Sequence, residues 1–228
     1  MSTSASTPRR RGPRRSLTRE ALVDAALDLL DEAGWAGFSL RAVGNRLGVD
    51  PNTLYTYVAD RAALEREVAE RVLAETDPTA LEDVATPWRD RVLRYAGRLR
   101  ATLLRHPGAA RLLTTAPMNG PTALLIGERL MDALAEAGLD ADYAARASYA
   151  LMVQVLGAVL LEVAETDGRH PLPSEPERIA ARRAGFDTVD AGAWPRTAAA
   201  SATMAAWISG EQFTWSLDRL LDGLVPCS

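Results

Sequence analysis

Apolar residues recur along this chain at intervals of three and four, the spacing of one helix face, and nowhere in the strict alternation of a half-buried strand. The first run is Leu22, Val23, Ala26, Leu27, Leu29 and Leu30, with Thr18 as N-cap, Glu20 close behind it and Gly34 as the stop. A second helix starts after Ser39, turns Leu40, Val43 and Leu47 to one side and ends at Gly48. Asp50-Pro51 then predicts a short third helix to about Val58, because proline at the first helical position gives up a donor that has no partner there. Asp60 caps a fourth, from Arg61 to about Glu75, with Leu64, Val68, Val72 and Leu73 facing inward.

Thr86-Pro87 opens a fifth helix through about Arg105, carrying Trp88, Val92, Tyr95, Leu99 and Leu103 at helical spacing. His106-Pro107-Gly108 breaks it, and a short helix over 109–115 follows. After Asn119-Gly120-Pro121 the pattern predicts a helix over 122–137, then a long apolar one capped by Asp140 and running to about Glu165. Residues 167–176 read as a loop, 177–184 as a weaker helix, 185–200 stay unassigned and 203–224 form the last helix. The fold class is all-α. An arm, 1–16, precedes a three-helix helix-turn-helix domain over 17–76 and a larger helical domain over 77–228.

Composition supports helix over strand: aromatics are 6 %, and Ala, Leu and Arg dominate. At 228 residues the chain can bury a core without metal or disulfide staples. The net charge of −4 excludes a polycation, yet five Arg crowd into 9–15 and no acid precedes Glu20. A disordered basic arm on a net-acidic body can still engage nucleic acid locally. The single Cys227 cannot form an internal disulfide, and the N-terminus has no apolar stretch. The longest uncharged run, 147–161, falls short of the roughly 20 residues a membrane span needs, so a cytoplasmic protein with no membrane contact is expected. The chain holds no G-x-S-x-G, Walker loop, H-E-x-x-H or paired cysteines. No enzyme, cofactor or metal is expected.

The informative stretch is 39–57, SLRAVGNRLGVDPNTLYTY, which reads as helix, glycine turn, helix. In a helix-turn-helix the first helix braces across the DNA backbone and the second enters the major groove. Pro51, Asn52, Thr53, Thr56 and Tyr57 would face outward, Leu54, Val58 and Val49 inward, with Tyr55 at the margin. Ser39 begins the bracing helix. Arg41 could reach a guanine through its forked donors, or a phosphate. Arg61 would set a cation and free backbone N–H groups beside a phosphate. The arm could follow the minor groove, or simply be a solvated tail.

Residues 17–75 resemble the DNA-binding domain of the TetR family of bacterial transcriptional regulators. The carriers are AALDLLDEAG, S-x-R-x-V-x-x-x-L-G-V, TLYTYV and the D-R-x-A-L that opens the next helix. Three further segments resemble the tetracycline-repressor branch: RHPGAARLLTTAP (105–117), residues 131–162 and FTWSLDRLLDGL (213–224). The resemblance implies a homodimer built on a four-helix bundle, from roughly 140–165 and 205–224 of each subunit. It also implies an effector pocket in each core that changes the spacing of paired DNA-binding heads on an operator. Leu112 stands where that branch has a metal-ligating histidine, and Asp77 where it has a second drug-contacting histidine. A leucine cannot bind Mg²⁺, so a tetracycline–Mg²⁺ chelate is not the expected effector.

The pocket candidates are Tyr95, Leu99, Leu103, Leu112, Thr115, Met118, Met131, Met152 and Gln154, with Trp207 a further apolar possibility. Residues of this kind are also ordinary core. Gln154 could anchor a ligand, bond across a dimer or sit on the surface; Gly157 could let helices approach at the dimer seam. His106 and His170 read as structural, Glu162, Glu165 and Asp167 as a solvated helix end, and Cys227 as incidental. The expected partners are double-stranded operator DNA, an unidentified small and largely apolar effector, and a second copy of the chain. The alternative is a dimeric DNA-binding regulator without an effector, acting through protein partners.

Overall fold

In the computed structural model, which describes residues 17–164 and 171–225, a capping side chain opens most of the long helices. Thr18 accepts from the Ala21 amide and opens α1, Arg19–Gly37. Ser39 accepts from Ala42 and opens α2, Leu40–Leu47, which ends on Gly48 at φ 68°. Asp50 accepts from Asn52 before α3, Pro51–Leu54, and Asp60 from Ala63 before α4, Arg61–Glu75. Two features differ from the spacing-based reading. Helical hydrogen bonding resumes beyond a kink at Gly34, and α3 is one turn long, the chain continuing as turn through Tyr57.

The body begins with a 3₁₀ turn, Pro78–Leu81, then α5, Trp88–Arg105. The segment after His106 is two single turns, α6 (Pro107–Ala110) and α7 (Leu112–Thr115). Next come α8, Pro121–Glu136, and α9, Ala141–Val163, which Asp140 caps through the Tyr143 amide. A reciprocal cap between Ser174 and Glu177 opens α10, Glu175–Phe186. Residues left unassigned from spacing hold α11, Pro195–Ala199. The final stretch is α12 (Ser201–Ala205), a 3₁₀ turn (Ala206–Ile208) and α13 (Gly210–Leu224), because Ser209 turns extended and caps Gln212. No strand occurs among the described residues. The basic arm, Glu165, Asp167, His170 and Cys227 lie outside them.

Head and body are joined by packing as well as by chain. Leu22, Leu30, Leu64 and Val68 of the head share one apolar core with Leu103, Ala110, Leu112 and Val159 of the body. A second core holds Tyr95, Leu134, Leu151, Phe213 and Leu217 at the far end. By length and composition α9 could cross a bilayer, with a mean hydropathy of 1.6, although its longest uncharged run is shorter. In the fold it packs against α5, α8 and α13. Glu162 is a correction: it is buried rather than solvated, held by Arg100 at 2.8 Å and by Arg178.

Candidate functional site

The head presents the outward set that a helix-turn-helix needs. Arg41, Asn52, Thr53, Tyr55 and Thr56 are exposed, Ser39 and Pro51 half-buried, while Leu54, Val58 and Val43 are buried beneath them. Ser39 spends its hydroxyl oxygen as the α2 cap. Tyr55 stands clear of the surface, 54 % exposed, rather than packing at the margin. Two members of the set are tied down. The Tyr57 hydroxyl donates to the Leu17 carbonyl at 2.8 Å, which turns it toward the start of α1. The Arg61 guanidinium lies 4.9 Å from the Trp35 ring centre and 5.1 Å from that of Phe38, and its Nε donates to Glu65 at 2.6 Å. Arg61 therefore braces the corner between α1 and α4.

Behind the head, the body encloses an apolar cavity of about 270 Å³. α5 contributes Val92, Tyr95, Ala96 and Leu99; α8 contributes Ala123, Ile126, Gly127 and Leu130. α9 supplies Ser148, Tyr149, Leu151, Met152 and Val155, α13 supplies Leu217, and Met118 precedes α8. The remaining wall is Leu73 of α4, the helix that carries the head. Tyr149 is exposed, so the cavity opens to the surface there. Of the sequence candidates, the fold gathers Tyr95, Leu99, Met118 and Met152 around this space. Leu103 and Leu112 sit instead in the core shared with the head, Thr115 is exposed and Met131 is outside the cavity wall.

Gln154 and Trp207 belong to a different feature, a groove between α9 and the approach to α13. Gln154 donates to the Ser216 hydroxyl at 3.0 Å there. Gly157 lies along the same groove, and Val153, Leu161 and Trp207 that line it are exposed, as is Trp215 of α13.

Sequence spacing missed two polar ties between head and body. The Glu70 carboxylate of α4 accepts the backbone N–H groups of Thr122 at 2.7 Å and Ala123 at 3.2 Å, capping α8. His106 lies between the Asp31 carboxylate at 2.7 Å and that of Glu75 at 2.9 Å. The Asp31 hydrogen bond, helped by Glu75, holds its imidazole above the ordinary histidine range against the opposing effect of burial. Partners so far apart in the chain leave no local pattern to find.

Comparison with known proteins follows the same division. Residues 22–68 match the family described as "Bacterial regulatory proteins, tetR family", and residues 82–226 match "Tetracyclin repressor-like, C-terminal domain". An HTH-type transcriptional regulator of Saccharopolyspora erythraea is 34 % identical over 152 residues, covering 64 % of this chain; the chain spans only 61 % of that protein's length. The class A tetracycline repressor protein from transposon 1721 of Escherichia coli is 32 % identical over 148 residues, covering 65 % of this chain and 68 % of its own. A crystal structure of a possible TetR family transcriptional regulator from Streptomyces coelicolor A3(2) superposes with a TM-score of 0.76 at 31 % identity, over 91 % of this chain and 98 % of that one.

Proposed function

The chain belongs to the TetR family of bacterial regulatory proteins, and from that premise we propose that it is a cytoplasmic repressor that binds a palindromic operator as a homodimer and is released by a small, largely apolar effector. The observation that carries the first part is the exposed row Arg41, Asn52, Thr53, Tyr55 and Thr56 above a buried Leu54. Each recognition helix enters a major groove, and half-sites lie about one helical turn apart. Arg41 reads or anchors the DNA from the bracing helix, and Arg61 stands close enough to the backbone to contribute charge.

A second copy covers the groove between α9 and α13. The apolar side chains Val153, Leu161, Trp207 and Trp215, all exposed on one chain, support this reading. The effector occupies the cavity of about 270 Å³. Leu73 of α4 lines that space, so a ligand touches the helix whose other end bears Arg61. Occupancy favours a placement of the two heads that no longer spans both grooves. The class A tetracycline repressor is similar in sequence, but here Leu112 is fully buried in the shared core, so we do not extend its ligand to this chain.

The test is selection of bound fragments from sheared DNA of the source genome, followed by mobility shift on the enriched sequence. An inverted repeat that resists excess non-specific competitor is expected. Retention with no enriched sequence would overturn the proposal.

A further inference from the structure

Tyr95 lines the cavity, and the fold leaves its hydroxyl without a hydrogen-bond partner. The Tyr95 hydroxyl is buried and makes no hydrogen bond, on a side chain only 5 % exposed. An unpaired buried hydroxyl destabilises the ligand-free protein. The rest of the wall is Leu, Ile, Val, Ala, Met and Gly with Ser148 and Tyr149, and no Arg, Asp, Glu or His is among its residues. Of the two other hydroxyl side chains that line the cavity, Ser148 already donates to the Ala144 carbonyl at 2.8 Å and Tyr149 is exposed to solvent. Burial pushes the Tyr95 phenol far above its ordinary range, so it keeps its proton and is free to donate it.

We infer that the effector is an uncharged molecule, mostly hydrocarbon, with one acceptor oxygen of carbonyl or ether type that receives the Tyr95 hydroxyl proton in a hydrogen bond. This rests on the cavity reading given above and makes Tyr95 the residue that determines specificity. Size follows from volume: a cavity of about 150 Å³ holds benzene, so about 270 Å³ admits two or three fused rings. Charge follows from the wall. A carboxylate or an ammonium would lose its water and find no opposite charge.

Three tricyclic probes separate these requirements: fluorene, its ketone fluorenone, and fluorene-9-carboxylate. Their binding to the full-length protein is measured by equilibrium dialysis, without DNA. Fluorenone should bind about tenfold more tightly than fluorene, one hydrogen bond's worth. In Tyr95→Phe, which removes only the unpartnered oxygen, that ratio should fall to about one with fluorene unaffected. The carboxylate should bind at least about a hundredfold more weakly than the ketone. A ratio that Tyr95→Phe leaves unchanged, or a carboxylate that binds like the ketone, overturns the inference alone. Failure of both neutral probes overturns the cavity reading with it. The DNA selection decides operator binding independently of all three outcomes.

Discussion

The Glu70 carboxylate closes the N-terminus of α8 by accepting the Thr122 amide at 2.7 Å. A side chain of the helix that bears the head thus holds a helix that walls the cavity. One turn further along α4, Leu73 lines the cavity itself. Glu70→Ala should cost about 1 kcal/mol, the ordinary value of a lost cap. Hydrogen exchange at Thr122 and Ala123 should accelerate, and release of DNA by a cavity ligand should be blunted. Gly120 gives a second handle, since a Cβ there would sit 2.3 Å from the Glu70 side chain. Gly120→Ala should reproduce the exchange effect; unchanged protection in both variants would show that the cap does not hold α8.

His106 predicts how stability depends on pH. Its folded-state pKa lies above the unfolded value of 6.5. The stabilisation from the Asp31–His106–Glu75 contact is therefore complete below that pH and fades as pH rises through the raised value. The same cluster contains Arg71, 2.6 Å from Glu75, and Arg105 at 3.9 Å. Thermal melts of the wild type should lose stability upward from about pH 6.5, and His106→Gln should flatten that slope.

Glu162 is surrounded by Arg100 and Arg178, themselves 14 % and 7 % exposed. Replacing it with Gln leaves the buried Arg178 guanidinium without its counter-charge, while Arg100 keeps Glu175 at 3.0 Å; stranding one buried charge costs about 3–5 kcal/mol. Urea unfolding should read the loss. Restoration of most of it by adding Arg178→Met would identify the stranded charge as its cause.

Arg41 and Arg61 should separate in the two assays that matter for the head. Arg41 is exposed, so Arg41→Ala should leave the melting temperature alone and weaken operator binding by about 1–3 kcal/mol if its contact is bidentate. Arg61 stacks over Trp35 and Phe38, so Arg61→Ala should lower the melting temperature as well as flatten the salt dependence by about one unit.

Tetracycline with Mg²⁺ should not raise the melting temperature at micromolar concentration. Leu112→His should not create that response either, because residue 112 lies in the core under the head and not in the cavity wall. A chelate-dependent stabilisation of the wild type would show that the wrong cavity has been assigned.

What the chain discloses before folding is local. Thr18, Ser39, Asp50, Asp60 and Asp140 announce helix starts because one side chain and an amide two or three residues on make the whole interaction. Ser209 carries the same signal, but Trp207 and Ile208 before it and Phe213 and Leu217 after it read together as the face of one helix. The cavity is less visible. Leu99 and Leu103 share a helix and a chemistry, yet one faces the open space and the other the closed core. That choice depends on where α8 and α9 cross α5. Glu162 looks like a helix end in water until Arg100, 62 residues earlier, and Arg178 converge on it.

The packing of α6 on α1 constrains how this protein can be recombined. A Cβ on Gly108 would meet the Leu30 carbonyl oxygen at 2.2 Å, so the two backbones touch with no side chain between them. Regulators of this kind invite chimaeras in which one head is grafted onto another sensor at the end of α4. Here such a splice would bring a foreign α1 against Gly108, and any change in its path at Leu30 would become a collision of main chains. The natural unit of exchange is residues 17–115, head and docking turns together, although the chain order suggests a cut some forty residues earlier.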